Sequence, residues 1–330
     1  MFCGNDQPRV VLGLLLGLFG ISGCTLQMPG KSFTGPQPPL TKSELIVEKN
    51  VKEDVEHLSS LGPRQMLVAP QNLEATARFI EERFSAMGYE TVSLPYQCRG
   101  QTVRNIEATL PGTDHDSAML LIGAHYDSVR NTAGANDNAS GVAAMLEIAR
   151  MIKGMHPERT VRFVAFTNEE IPFFHTRYMG SIVYARLMRE RGDHILGLIN
   201  LDMLGYYSHE RHSQGFPLPF RWFLPDIGDF VIIYGRTEDT GWIKQCVSYF
   251  RGNTPFPSQG ASVPAWWPGA WSSDHAAFWR SGYPGIHVWS VARYPEFHTS
   301  RDTPDRLDYP DLARVTEGVG RLVEQFANAP

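Results

Sequence analysis

The sequence predicts an α/β fold, a three-layer sandwich in which helices flank a mixed, mostly parallel central sheet. Candidate strands alternate with candidate helices through the folded part of the chain, as expected for strand–helix–strand units. Of the 330 residues, 42% are hydrophobic and 11% aromatic, which suffices for a large core and excludes a disordered chain. No shift in composition divides residues 42–330, so we expect these residues to form one domain.

Periodicity places the individual helices and strands. Apolar residues recur at helical spacing over residues 44–58 and 72–87. The other candidate helices are 140–152, 178–191, 241–251, 274–280 and 309–328. The candidate strands are 90–94, 103–110, 118–124, 160–167, 195–203, 230–234 and 285–291. Segments 205–229 and 252–273 lack periodicity and are rich in Pro, Gly and aromatic residues, so we expect long loops there.

The first two dozen residues differ from the rest of the chain. Residues 10–19 form an uncharged apolar run, about half the roughly 20 residues that a membrane span needs, and Arg9 precedes it. The run leads into Ile21-Ser22-Gly23-Cys24, which resembles the lipobox of bacterial lipoproteins, in which the Cys becomes the lipidated first residue. We therefore expect residues 1–23 to be a signal peptide, with an incidental Cys as the alternative.

The segment that follows Cys24 is rich in Pro, Gly, Ser, Thr and Gln. This composition predicts that residues 24–41 form a flexible tether, lipid-anchored to a membrane through Cys24. The protein would then be exported to the bacterial cell envelope, in the periplasm or on the outer surface. Export permits disulfides, so Cys98 and Cys246 either pair or remain separate thiols.

Charge and motif content exclude two classes of ligand. The chain has 30 Lys and Arg against 35 Asp and Glu, a net charge of −5, so no basic footprint for nucleic acid exists. The Gly-containing loop at residues 134–141 lacks the Lys and the spacing of a P-loop, which excludes nucleotide binding there.

Histidines and acidic residues stand where the predicted strands end or in the loops that follow. Ligands of open α/β sheets bind outside the carboxyl ends of the strands, so these side chains are expected to meet. The residues concerned are His125, Asp127, Asp137, Glu169, Glu170, Asp202 and His298.

Imidazole and carboxylate ligands suit zinc and its neighbours, and a pair of metal ions needs a bridging carboxylate plus terminal ligands on each side. If Asp137 bridges, the set His125, Glu170, Asp202 and His298 supplies each metal with one imidazole and one further carboxylate. Glu169 is left over and is predicted to be the general base for an attacking water. Asp127 stands two residues after His125, so it is predicted to face the same side of the strand and to orient that imidazole.

Six strings of residues, in this order, resemble the di-zinc aminopeptidases, metallopeptidase family twenty-eight, whose relatives include aminopeptidase S, glutamate carboxypeptidase and glutaminyl cyclase. The strings are H-Y-D-S from His125, A-N-D-N-A-S-G from Ala135, N-E-E from Asn168, N-L-D-M from Asn200, S-D-H from Ser273 and H-T-S-R-D-T from His298. The resemblance covers about residue 72 to the C-terminus. It implies an eight-stranded mixed sheet, two bound zinc ions, and hydrolysis of a peptide bond at a free N-terminus.

The family's roles carry over onto the matching positions. The resemblance makes His125, Asp137, Glu170, Asp202 and His298 the metal ligands, with Asp137 bridging, and Glu169 the general acid and base. Peptides are the implied substrates. It assigns S-D-H a place close to the substrate pocket without a defined role.

Two departures from the family pattern concern the substrate pocket. Some family aminopeptidases place a Tyr shortly before S-D-H to steady the oxyanion, but residues 268–272 contain none. Where many relatives continue after the paired glutamates with a Gly-rich turn, residues 171–176 are bulky and aromatic, which is expected to narrow the pocket.

Aromatic residues of the two predicted loops are expected to form an apolar wall for a substrate side chain, the alternative being a small core under each loop. They are Tyr206, Tyr207, Trp222, Phe223, Trp266, Trp267 and Trp271. The histidines outside the motifs, His175, His209, His212 and His287, are interpreted as surface or packing residues.

Two alternatives to the aminopeptidase remain open at this point. A glutaminyl-cyclase-like aminoacyltransferase on the same fold would use one zinc ion. A non-catalytic binding lipoprotein would keep the fold alone, although the presence of Glu169 argues against it.

Overall fold

The computed structural model describes residues 26–114, 118–215, 224–290 and 292–328. The strands are β1 (Thr91–Cys98), β2 (Gln101–Leu110), β3 (Met119–His125), β4 (Val161–Phe166), β5 (Ile195–Leu201), β6 (Val231–Arg236), β7 (Ser258–Val263) and β8 (Gly285–Ser290). The helices are α1 (Lys42–Ser60), α2 (Pro70–Ala86), α3 (Gly141–Ile152), α4 (Gly180–Arg191), α5 (Thr240–Asn253), α6 (His275–Arg280) and α7 (Tyr309–Ala327).

The eight strands form one sheet in the order β1-β2-β4-β3-β5-β8-β6-β7. Four neighbouring pairs are parallel: β3 with β4, β3 with β5, β5 with β8, and β6 with β7. The pairs β1 with β2, β2 with β4, and β6 with β8 are antiparallel. The predicted mixed, mostly parallel sheet of about eight strands is confirmed.

Helices cover both faces of the sheet because the central strands are buried on both sides. Alternate residues of β3 point to opposite faces. Leu120 and Ile122 pack in the larger core with α1, α2, α3, α5 and α7, whereas Leu121 packs in the smaller core with α4 and α6. The three layers of the predicted sandwich follow from this alternation.

The structure corrects one predicted loop. Strand β7 lies inside segment 252–273, for which we expected no regular structure. Its sequence, SQGASV, has small and polar residues in place of an apolar run, so periodicity does not reveal it. The reason for the small residues is close packing: a Cβ at Gly260 would lie 2.5 Å from Val247 Cγ2. In segment 205–229 the described residues form no strand or helix beyond an isolated bridge between Gln214 and Ala292.

Residues 26–41 contain no helix or strand but contact the domain. The Arg314 guanidinium donates to the carbonyl of Pro38 at 2.5 Å, and Thr41 caps α1 by accepting from the backbone N–H of Glu44 at 3.1 Å. The predicted signal peptide and Cys24 lie outside the described residues, so the boundaries at residues 23 and 41 stay predictions.

Two further findings concern the whole described part. None of its helices is long and apolar enough to cross a membrane. Cys98 and Cys246 are both buried and free, so they are separate thiols and not a disulfide.

Candidate metal centre

The five predicted metal ligands and Glu169 line one pocket at the carboxyl ends of the central strands. His125 is the last residue of β3, the paired glutamates follow β4, and Asp202 follows β5. Asp137 comes from the loop before α3, and His298 from the loop after β8. Because three adjacent parallel strands end here, side chains far apart in the sequence meet.

Asp137 lies between the two imidazoles. Its Oδ1 is 3.4 Å from Nε2 of His125, and its Oδ2 is 3.1 Å from Nε2 of His298. On the first side, Oδ1 of Asp202 lies 3.6 Å from Nε2 of His125. On the second side, Oε2 of Glu170 lies 3.2 Å from Nε2 of His298. These four distances define two groups of three residues that share Asp137.

Two buried carboxylate oxygens without hydrogen-bond partners indicate that these residues fit a metal ion. Oε1 of Glu170 and Oδ1 of Asp202 are buried and have no hydrogen-bond partner among the described residues. A buried carboxylate oxygen without a partner is costly, and a cation between the ligands would satisfy it. Imidazole nitrogen with carboxylate oxygen is a donor set that zinc accepts.

The electrostatics of the pocket favour added positive charge. Burial raises the pKa of Glu169 well above the usual range of a glutamate, and the charge of Glu170 raises it further. Burial and the charge of Asp137 raise the pKa of Glu170 to about 8. Burial alone would lower the pKa of His298, but its contacts with Asp137 and Glu170 raise it to about 10. The cluster therefore holds positive charge, either as protons or as a metal ion.

A family model settles the wider relationship. The model described as peptidase family M28 matches residues 105–323, more than half of the chain. The chain belongs to peptidase family M28. This finding confirms the resemblance seen in the six strings of residues.

This M28 chain is similar to one curated protein over most of its length and to solved structures of the same fold. It is 36% identical over 263 residues to the uncharacterized protein YfbL of Escherichia coli (strain K12), which covers 76% of this chain and 80% of YfbL. Its structure is similar to BSAP, a zinc aminopeptidase from Bacillus subtilis, with a TM-score of 0.68, 16% identity and coverage of 86% and 95% of the two chains. It is also similar to Fimbriiglobus ruber glutaminyl cyclase, with a TM-score of 0.62, 19% identity and coverage of 90% and 99%.

The two structural likenesses show the fold, since both identities are below 25%. Family membership confirms the expected zinc metallopeptidase. The sequence relatives include a protein named probable zinc metalloprotease, from Pyrenophora tritici-repentis, and aminopeptidase YwaD of Bacillus subtilis (strain 168). These findings favour a metal-dependent aminopeptidase over both alternatives.

Asp127 positions the backbone of the paired glutamates of the M28 site. Its Oδ1 accepts the N–H of Glu169 at 2.9 Å, and its Oδ2 accepts the N–H of Glu170 at 3.0 Å. Nδ1 of His125 lies 3.7 Å from Oδ1 of Asp127 but only 3.3 Å from its backbone carbonyl. We predicted that the carboxylate of Asp127 would contact His125. The main-chain carbonyl of Asp127 is the closer of the two groups.

Asp302 holds the loop that carries Asp137, a role that sequence reasoning missed. Its carboxylate accepts the N–H of Asn136 at 2.7 Å, the N–H of Asp137 at 3.1 Å and the hydroxyl of Tyr294 at 2.8 Å. Asp302 stands inside the H-T-S-R-D-T string, so its place in the motif was the available signal.

The S-D-H string acquires a role in the structure. The hydroxyl of Ser273 donates to Oδ2 of Asp202 at 2.7 Å and accepts from Nδ2 of Asn200 at 2.9 Å. The same amide nitrogen lies 3.1 Å from Nδ1 of His287. Ser273 therefore fixes the rotation of Asp202, a predicted metal ligand.

Arg64 places a buried cation behind the acidic cluster. Its Nε donates to the carbonyl of Tyr126 at 2.9 Å, and its Nη2 donates to the carbonyl of Gly134 at 3.0 Å. Burial lowers the pKa of Arg64 to about 10, while nearby carboxylates, Asp302 first, act to raise it. Arg64 lies outside every motif, so the sequence offered no signal for it.

The pocket has a volume of about 500 Å³ and two unlike halves. The polar half consists of His125, Asp137, Glu169, Glu170, Asp202 and His298. The apolar half consists of Leu26, Ile232, Tyr234, Ala261, Val263 and Trp267. Ile171 and Phe174, from the bulky segment after the paired glutamates, also line the pocket.

The expected aromatic wall is only partly present. Trp267 lines the pocket, whereas Tyr207 packs on Phe256 with ring centroids 5.3 Å apart, and Trp266 is 74% exposed. Tyr206 and Trp271 are not among the lining residues, and residues 222–223 lie outside the described part.

One of the histidines interpreted as surface or packing residues is a buried packing residue that also lines the pocket. His287 lines the pocket where the halves meet, with its ring 5.1 Å from that of Tyr234. His287 lies inside the buried strand β8, and the direction of its side chain depends on the register of that strand. The sequence alone therefore does not show that His287 faces the pocket. The stretch before S-D-H, which lacks the Tyr of some family members, contacts a Tyr from elsewhere: the hydroxyl of Tyr234 lies 2.7 Å from that of Ser272.

Proposed function

We propose that the chain is an aminopeptidase that binds two zinc ions through His125, Asp137, Glu170, Asp202 and His298, with Glu169 as general base. The observation that carries the proposal is the placement of Asp137, whose two carboxylate oxygens face two separate imidazoles. Each side then has one imidazole, one oxygen of the shared carboxylate and one carboxylate of its own. This arrangement is the one that a pair of metal ions requires.

Glu169 is suited to proton transfer because it lines the pocket without belonging to either ligand group. When bound, the zinc ions would polarise the scissile carbonyl and make the attacking water more acidic. Glu169 takes the proton that this water loses and gives it to the amine that leaves as the C–N bond breaks.

The apolar half of the pocket supports an apolar side chain on the substrate. Its lining atoms are aliphatic and aromatic, so burial of a similar side chain is favourable. The proposed substrates are therefore peptides whose N-terminal residue has an apolar side chain.

The proposed function is tested by metal content and by a substrate panel. Two equivalents of zinc per chain are expected, with release of the N-terminal residue from peptides. His125→Ala and His298→Ala are each expected to lower the zinc content towards one, since they belong to different ligand groups. One tightly bound zinc in the unchanged protein, together with cyclisation of N-terminal Gln peptides, would instead establish the aminoacyltransferase.

We also propose that the protein is exported and lipid-anchored through Cys24. The support is the short apolar run followed by Ile21-Ser22-Gly23-Cys24. Metabolic labelling with a fatty acid is expected to mark the full chain and not the Cys24→Ser variant. Equal labelling of both proteins would contradict the anchor without affecting the proposed peptidase activity.

A further inference from the structure

Residues 26–32, here called the strap, run along the edge of the sheet formed by β7. Nη1 of Arg251, on α5, donates to the carbonyls of Pro29 at 3.0 Å and of Gly30 at 3.2 Å. The backbone N–H of Ser258, the first residue of β7, donates to the hydroxyl of Ser32 at 2.9 Å. Polar contacts from two elements of the domain therefore hold the strap in place.

The middle of the strap packs close to Gly260 of β7. A Cβ at Gly260 would lie only 2.7 Å from Cγ of Met28, which is closer than real Cβ atoms approach. Met28 also packs against the main core of the domain. The edge strand thus has a surface shaped to receive the strap.

The N-terminal end of the strap reaches the pocket. Leu26 is partly buried and packs in an apolar cluster with Tyr234, Ala261 and Trp267. These residues line the same pocket as the predicted metal ligands. The strap runs antiparallel to β7, since Ser32 meets the beginning of that strand while Leu26 packs with residues near its end.

We propose that Leu26 is a specificity-determining residue that forms part of the wall for the side chain of the substrate's N-terminal residue. This inference rests on the proposed aminopeptidase function. Leu26 lies outside residues 105–323, which the family model matches, so this wall is supplied by the chain that precedes the catalytic domain. An isobutyl group at this point narrows the pocket and adds apolar contact area for a bulky apolar side chain.

The experiment compares kcat/KM on leucyl, phenylalanyl and alanyl peptides for the full-length zinc-loaded protein and two variants at this position. In Leu26→Ala, kcat/KM is expected to fall roughly tenfold on the leucyl and phenylalanyl peptides, because one wall of the pocket is removed. On the alanyl peptide it is expected to stay within about twofold, because a methyl group makes little contact there. Leu26→Trp fills the space, so its kcat/KM is expected to fall most on the phenylalanyl peptide.

The matched control is Gln27→Ala, an adjacent strap residue whose side chain is exposed. A second variant, Arg251→Gln, removes the hydrogen bonds to the strap together with those to Ser258 of β7. It is expected to lower the same ratio of bulky to small substrates. If Leu26→Ala does not fold, the ratio of kcat/KM on bulky to small substrates is measured in Leu26→Trp and Arg251→Gln.

The outcomes separate this inference from the proposed function. An unchanged ratio of bulky to small substrates in the Leu26 variants, or an equal loss on all peptides, would overturn the role of Leu26 while the unmodified protein remains an active aminopeptidase. Absence of aminopeptidase activity in the unmodified protein would overturn the proposed function itself.

Discussion

The two halves of the pocket are built by different physical means. In the polar half, hydrogen bonds of defined direction hold several side chains or their backbone, as Asp302 holds Asp137 and Ser273 holds Asp202. In the apolar half, side chains such as Ile232 and Ala261 are held by packing in a shared cluster. Directional contacts make the polar half sensitive to single atoms, whereas apolar burial changes gradually with area.

The halves also differ in charge. Burial lowers the pKa of His287 to about 3 and that of His275 to about 4, so both imidazoles are neutral at physiological pH. Burial likewise opposes charge on His298, but its carboxylate neighbours raise its pKa to about 10. Charge is therefore concentrated on the metal-binding side of one continuous pocket.

The largest expected effect comes from the general base. Glu169→Gln keeps the size of the side chain but cannot accept the proton, so kcat is expected to fall about 10²- to 10⁴-fold. Zinc content should stay the same, because Glu169 belongs to neither ligand group. Steady-state kinetics with metal analysis check both statements, and the control is Glu190→Gln at an exposed position of α4. Full activity of the Glu169→Gln protein would remove the catalytic role.

The next effect tests whether the hydrogen bonds that hold the loop of Asp137 determine the zinc affinity of the polar half. Asp302→Ala removes the acceptor of two backbone N–H groups at Asn136 and Asp137. Zinc affinity is expected to fall roughly 10- to 100-fold, measured by competition with a chelator. Asp305→Asn, a nearby exposed change, should leave it unaltered. Equal affinities in all three proteins would contradict the positioning role of Asp302.

A smaller and more selective effect is expected in the apolar half. Ala261→Val adds two methyl groups to a pocket-lining position of β7, where a β-branched residue is compatible with the strand. On phenylalanyl peptides kcat/KM should fall roughly tenfold, and on alanyl peptides it should remain near its original value. An equal loss on both peptides would show that the substitution disturbs the polar half as well.

The smallest effect concerns stability and pH. Because burial keeps the pKa of His287 low, the unfolded chain takes up a proton below about pH 6.5 that the folded chain refuses. The stability due to neutral His287 is thus present above pH 6.5 and is lost as pH falls towards 3. Relative to His287→Gln, the free energy of unfolding of the unmodified protein should drop about 1 kcal/mol between pH 6.5 and 5.5.

Denaturant titrations at the two pH values measure this drop. The difference between the two proteins cancels contributions that they share, including metal binding. His156→Gln, at an exposed position, is the control. Its free energy of unfolding should drop with pH by the same amount as that of the unmodified protein. An equal drop in the free energy of unfolding of His287→Gln and of the unmodified protein would show that the imidazole is not held neutral in the fold.

The sequence predicted the polar half far better than the apolar half. His125, Glu170 and Asp202 follow apolar strands within a few residues, so local patterning and the geometry of parallel sheets bring them together. Strand β7 was missed because its small, polar residues carry no periodic signal. Arg64 was missed because its contacts are to backbone carbonyls of distant segments, which no spacing in the sequence encodes.

The amino-acid sequence by itself determined the α/β architecture, the family and the set of acids and histidines at the strand ends. These features depend on local periodicity and on residue types with distinctive chemistry. Only the tertiary structure decided which atoms of Asp137 face which imidazole, which way His287 points, and that Leu26 closes the apolar half. The physical reason is that packing depends on contacts between residues distant in the chain, and many apolar sequences satisfy it equally well.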